Sequence, residues 1–85
     1  MYSIYVLKSQ KDENLYIGCT SDIKKRMEYH NEGRVFSTKS RRPLVLIFKE
    51  EFFDKYQAFR TERYYKSAKG KRELKAKIKH YCRIV

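Results

Sequence analysis

Cysteine is scarce in this chain: only Cys19 and Cys82 occur, far apart and without a CxxC pair or a histidine–cysteine cluster. That excludes a disulfide framework and a zinc finger, and it makes free thiols in a reducing cytosol the expectation. Proline occurs once, at Pro43, and glycine three times. The chain is therefore neither a low-complexity linker nor a string of turns. No apolar run approaches the length that crosses a bilayer, and the first residues lack a signal-peptide pattern. A cytoplasmic protein without a membrane partner is the expectation. Acidic residues are also in deficit, with ten Asp and Glu against 21 Lys and Arg, a net charge of +11.

Eighty-five residues suit one domain, taken as 1–85, with a modest core. The 41% hydrophobic content argues for a folded chain despite 36% charged residues. An excess of cations this large favours a polyanionic partner, above all a phosphate backbone. The basic residues are spread over the whole chain while the apolar ones serve a core, which favours nucleic acid over a membrane surface. Charge alone says nothing about chemistry.

Residues 2–7 alternate, with Tyr2, Ile4 and Val6 on one face and Ser3, Tyr5 and Leu7 on the other. A polar loop, 8–14, leads into a second strand at Leu15-Tyr16-Ile17-Gly18-Cys19, so the two strands form an antiparallel hairpin that brings Tyr5 near Tyr16. Thr20, Ser21 and Asp22 offer N-caps to a first helix, which Gly33 stops. On that helix Arg26 and His30 stand four apart and share a face. Residues 34–43 form a basic, hydroxyl-rich loop suited either to phosphate contacts or to solvent. The run Leu44–Phe48 is continuously apolar, as expected of a strand buried on both faces. Asp54 and Gln57 open a second helix carrying Ala58, Phe59, Glu62 and Tyr65 and ending near Gly70. A final helix places Leu74, Ile78 and Tyr81 or Cys82 on its apolar stripe. The order β-β-α-β-α-α predicts an α+β fold, a small three-stranded antiparallel sheet flanked by helices.

Ser3-Ile4-Tyr5, followed eleven residues after Tyr5 by Tyr16-Ile17-Gly18, resembles the two-part signature of the GIY-YIG nuclease family. Arg26 and His30 fall on the first helix where that family places an arginine and a nearby His or Tyr. Glu62 falls on a later helix where the family has its metal-binding glutamate. The resemblance covers nearly the whole chain and is greatest to minimal members in which the nuclease domain stands alone. Two positions depart from the pattern. Ser3 replaces the first glycine, and no asparagine follows Asn31, where many relatives carry one after the metal glutamate. The second departure bears on whether turnover is retained.

The resemblance implies an endonuclease cutting DNA in preference to RNA, with Mg²⁺ or Mn²⁺ as a single divalent metal and with repair or recombination as its setting. Tyr5 and Tyr16 would position and deprotonate the attacking water, with either as the base. Arg26 would stabilise the phosphate, His30 would handle protons, and Glu62 would hold the metal. These residue types suit the chemistry on physical grounds. A carboxylate binds a hard cation that keeps most of its water, and a guanidinium grips phosphate oxygens while staying charged. A phenol needs its pKa of about 10 brought down, and the surrounding cations push in that direction. Tyrosine attacking phosphorus directly is the competing mechanism. Gly18, Lys24, Lys39, Arg41 and Arg42 are the candidate phosphate contacts.

Each residue also has a plainer reading. The tyrosines could simply pack in the hairpin, Arg26 could be a solvated cation, His30 a partner of the helix dipole, and Glu62 a member of a surface ion pair. The alternative function is a non-catalytic basic DNA- or RNA-binding module, with Phe36, Tyr64 and Tyr65 set among cations. An adaptor for an acidic protein is a third reading. These residues carry no zinc-finger or helix-turn-helix pattern, so the expectation is that strong sequence specificity would need a protein partner.

Overall fold

The structure, a computed structural model, describes the backbone of residues 1–84 and the side chains of residues 1–80. The side chains of Tyr81 and Cys82, assigned above to an apolar stripe, lie outside the described residues. Strands β1 (Tyr2–Ser9), β2 (Leu15–Thr20) and β3 (Leu44–Phe52) form one antiparallel sheet in the order β2-β1-β3. Helix α1 (Ile23–Asn31) follows the hairpin, and α2 (Lys55–Tyr65) and α3 (Ala68–Ile84) follow β3. The expected α+β fold and element order are those observed.

The alternation of β1 is used on both of its faces, because β1 is the central strand. Ile4 and Val6 pack with Phe48, Tyr65 and Leu74 under α2 and α3. Tyr5 and Leu7 pack with Leu44 and the half-buried Tyr16, Ile23 and Met27 under α1. The strand expected to be buried on both faces, β3, is instead an edge strand, and Val45 and Leu46 are exposed. A register shift opposite Val6 and Leu7 turns its apolar run partly outward. A polar network ties β3 to the helices: Tyr65 donates to Glu50, and Lys77 Nζ lies 2.7 Å from the Tyr65 hydroxyl and 3.4 Å from Glu50.

The caps of α1 read as the sequence suggests. Asp22 accepts from the Lys25 N–H at 3.1 Å, opening the helix. Gly33, at φ +77°, closes it while the Arg34 N–H reaches back to the Tyr29 carbonyl at 2.9 Å. Gly33→Ala places a side chain in the left-handed region, which costs about 1–2 kcal/mol. The three atoms nearest the added Cβ belong to the Arg42 guanidinium, the far end of a flexible side chain, so the backbone term dominates. A melting temperature lower by about 4–8 °C per kcal/mol is expected; an unchanged melt would contradict it.

The end of α2 differs from the expectation. The helix stops at Tyr65, and Gly70 lies inside the first turn of α3. Ser67 makes the break: its hydroxyl donates to the Tyr64 carbonyl at 2.6 Å and accepts from the Gly70 N–H at 3.1 Å. Gly70 is buried there because α3 starts directly against the last turn of α2.

Candidate active site

The β1–β2 register sets Tyr5 opposite Gly18 and Leu7 opposite Tyr16, so the two tyrosines are diagonal neighbours on the α1 face. Their ring centroids are 6.3 Å apart. Arg26 and His30, one helical turn apart on α1, both reach the Tyr5 hydroxyl. Arg26 Nε donates to it at 3.3 Å, and His30 Nε2 lies 3.0 Å from it. The His30 ring stands edge-on to both tyrosines, 5.7 Å from Tyr5 and 5.1 Å from Tyr16. Tyr5 and His30 are buried, whereas Tyr16 and Arg26 are half-buried and form the open side of the cluster.

Burial sets the proton affinities. It raises the Tyr5 pKa; hydrogen bonding and charge from Arg26 pull the other way, and the Tyr16 and Glu62 charges add to the rise. The expectation that neighbouring cations favour a phenolate at Tyr5 is therefore corrected: one guanidinium does not outweigh desolvation. Burial first, and Arg26 second, lower the His30 pKa, so the imidazole is neutral at neutral pH. Arg26 is held more firmly charged, chiefly by its hydrogen bond to Tyr5.

Glu62 comes from α2, across the sheet from α1. Its side chain is 20% exposed and its Oε1 accepts from Lys66 Nζ at 3.0 Å. The carboxylate charge still reaches Tyr5 and also Cys19, whose thiol pKa is raised by burial and then by Glu62. The residues thus supply one carboxylate whose charge is felt at the Tyr5 phenol, without a direct contact between them in the described hydrogen bonds. Among the described residues no three His, Cys, Asp or Glu side chains gather to enclose a metal. A single hard oxygen donor fits a cation that keeps most of its water and takes further oxygens from substrate. It does not fit a zinc site with three or four protein ligands.

Residues 1–77 match the family described as the GIY-YIG catalytic domain. The chain belongs to the GIY-YIG family. That family makes it a member of the nuclease superfamily. It is similar to the UPF0213 protein YazA of Bacillus subtilis strain 168, with 44% identity over 72 residues, covering 82% of this chain and 72% of that protein. It is also similar to the UPF0213 protein SH2523 of Staphylococcus haemolyticus, with 38% identity over 73 residues and coverage of 85% and 88%. Among solved structures, it is similar to the solution NMR structure of the UPF0213 protein BH0048 from Bacillus halodurans. There the identity is 30% and the TM-score 0.56, over 89% of this chain and 84% of that one.

In this GIY-YIG chain the glycine of the second signature half has a steric task. A Cβ on Gly18 would lie 2.4 Å from the Tyr5 Cζ and hydroxyl. Gly18 was named above as a candidate phosphate contact, but the space over it on this face is filled by the Tyr5 ring, so the glycine seats the phenol. Of the other candidate phosphate contacts, Lys24 and Lys39 are exposed. Arg41 and Arg42 hold the loop instead. Arg41 pairs with Asp12 at 3.4 Å, and the Arg42 guanidinium donates to the Lys39 and Asn31 carbonyls. Tyr65, named for base stacking in the alternative function, is 1% exposed and belongs to the core, whereas Phe36 is 94% exposed. Two neighbours of the site escaped sequence reasoning. Cys19 gave no sign that its thiol would feel the Glu62 charge. Thr38, fully buried with its hydroxyl 2.7 Å from His30 Nδ1, was one hydroxyl among three in a loop.

Proposed function

We propose that this protein is a divalent-metal-dependent endonuclease that hydrolyses phosphodiester bonds of DNA, with little sequence specificity of its own. It would act in the cytoplasm, in repair or recombination, with any target choice supplied by a protein partner. The observation that carries this reading is the Tyr5 hydroxyl, which alone of the two phenols has both a histidine nitrogen and an arginine N–H within hydrogen-bond distance in the described contacts.

Tyr5 is accordingly the base. Its O–H proton passes to the neutral His30 Nε2, and the phenolate, kept in place by Arg26, takes a proton from the attacking water. Tyr16 lines the open side with Arg26 and orients that water. The guanidinium, held in its charged form by the phenols, faces the negative charge that develops on phosphorus. Glu62 would hold the divalent metal, which when bound neutralises the leaving 3′ oxygen. Tyr5 as a direct nucleophile has less support, because its ring is buried against Gly18. A protein–DNA adduct surviving denaturation would establish that route instead.

The test is incubation of purified protein with single-stranded, duplex and branched DNA, and with RNA, in Mg²⁺ or Mn²⁺. Wild type is expected to release products ending in 3′-hydroxyl and 5′-phosphate. Glu62→Gln is expected to cut about 100-fold more slowly at limiting metal, and to recover partly at high metal concentration because the substrate supplies other ligands. Equal cleavage by the two proteins would overturn the assignment. The second reading, a non-catalytic nucleic-acid-binding module, draws on the Glu62–Lys66 pair and on exposed Phe36. It requires that neither protein yields product while both bind with a steep salt dependence.

A further inference from the structure

The loop between α1 and β3 delivers one hydroxyl to the interior. Thr38 is fully buried, its Oγ1 lies 2.7 Å from His30 Nδ1, and it lies 3.4 Å from the Val35 carbonyl. With Tyr5 and Arg26 this makes a single file of polar groups, and three of its side chains, Tyr5, His30 and Thr38, are at most 1% exposed. Every proton in the file must therefore be placed within it.

The file has a fixed donor at one end and a fixed acceptor at the other. Arg26 Nε carries a hydrogen and can only donate, so the Tyr5 oxygen accepts from it. The Tyr5 proton then needs an acceptor, and His30 Nε2 at 3.0 Å is the one the structure provides. A bare Nε2 on a neutral ring puts the hydrogen on Nδ1, which donates to Thr38 Oγ1. The threonine proton in turn reaches the Val35 carbonyl, which has no hydrogen to give. The opposite tautomer would point two hydrogens, from Arg26 and from Nε2, at the Tyr5 oxygen and leave the phenol proton without a protein partner among the described contacts. Only one arrangement satisfies every group from within the protein.

We propose that Thr38 is a positioning residue: by accepting from His30 Nδ1–H, it locks the imidazole in the tautomer whose unprotonated Nε2 faces Tyr5. The lock is a statement about the folded protein. Its catalytic consequence rests on the endonuclease reading above. In that reading the Tyr5 O–H bond breaks, the Nε2–H bond forms, and the electron pair stays on the phenolate. The imidazolium left behind already has its second hydrogen directed at Thr38. Without that acceptor the ring would turn its hydrogen toward Tyr5 and could not take the proton.

The measurement is ¹⁵N–¹H correlation NMR of the imidazoles, made in a His80→Gln background so that His30 is the histidine observed. Wild type and Thr38→Ser are expected to show a protonated Nδ1 and a bare Nε2. Thr38→Val, which removes the hydroxyl at similar size, is expected to show the reverse. In cleavage assays Thr38→Val is expected to lose about 10- to 100-fold in kcat with KM nearly unchanged, and Thr38→Ser to regain most of it. A protonated Nε2 in wild type overturns the lock, whatever the variants do and whether or not they fold. Reversal of the tautomer without loss of kcat overturns its catalytic role. A wild-type protein that cuts nothing removes the endonuclease reading, and the spectra still decide the lock.

Discussion

Replacing Tyr5 with phenylalanine is expected to lower the cleavage rate by about 10²–10⁴-fold, the range typical of general-base catalysis, with substrate binding little changed. The substitution removes one oxygen and keeps the ring that lies across Gly18. It leaves Arg26 Nε and His30 Nε2 without the partner they share, at a cost of about 1–3 kcal/mol. A chain of 85 residues has about 4–13 kcal/mol of stability, so the fold survives and lost activity reports on chemistry. Single-turnover cleavage beside a thermal melt separates the two effects. The pH profile gives an independent check. Burial and Arg26 hold the His30 pKa below the usual histidine value, so the ring is ready to accept through neutral pH. The rate should be level there and fall only in acid, as the imidazole protonates. Burial also raises the Tyr5 pKa, so a phenolate formed without His30 would give a rate climbing through the alkaline range. A rising profile of that kind would remove His30 from the mechanism.

Gly70→Ala is expected to be the most damaging single change to the fold. An added Cβ would sit 1.7 Å from the Tyr64 carbonyl oxygen, 2.4 Å from its carbon and 3.0 Å from the Tyr65 Cα. All three are backbone atoms, so no side-chain rotation relieves the overlap; α3 must move away from α2. That motion also breaks the Ser67 hydroxyl bridge and strains the Tyr65–Glu50–Lys77 network. A loss of about 3 kcal/mol or more follows, and at 4–8 °C per kcal/mol the melting temperature falls by at least about 12 °C. A melt within a few degrees of wild type would show that the two helices do not meet as closely as described. The effect on Glu62 is indirect, since α2 carries it.

Much of this architecture was legible in the chain because the governing signals are local. Period-two alternation marked β1, and Asp22, Gly33 and Asp54 marked helix ends through side-chain or backbone hydrogen bonds within a few residues. The i, i+4 spacing of Arg26 and His30 put both on one face of α1, and both reach the Tyr5 hydroxyl. Three readings failed for related reasons. A continuous apolar run suggested a strand buried on both faces, but strand order is a property of the whole sheet, and β3 lies at its edge with Val45 and Leu46 exposed. Gly70 read as a helix stop, when its role is to let one helix pass another. The cations near the tyrosines were counted along the chain, while proton affinity responds to burial in three dimensions.

Covalent spacing and hydrogen bonding over one helical turn were sufficient to name the strands and the helices, while the resemblance to the GIY-YIG family singled out Tyr5, Tyr16, Arg26, His30 and Glu62. Nothing at that range could say which phenol hydroxyl meets the imidazole, or that Thr38 stands behind it. Those facts join residues up to 25 positions apart. They exist only once the sheet, α1 and the following loop have excluded water from the space between them. Desolvation, which no stretch of chain possesses alone, then decides where each proton rests.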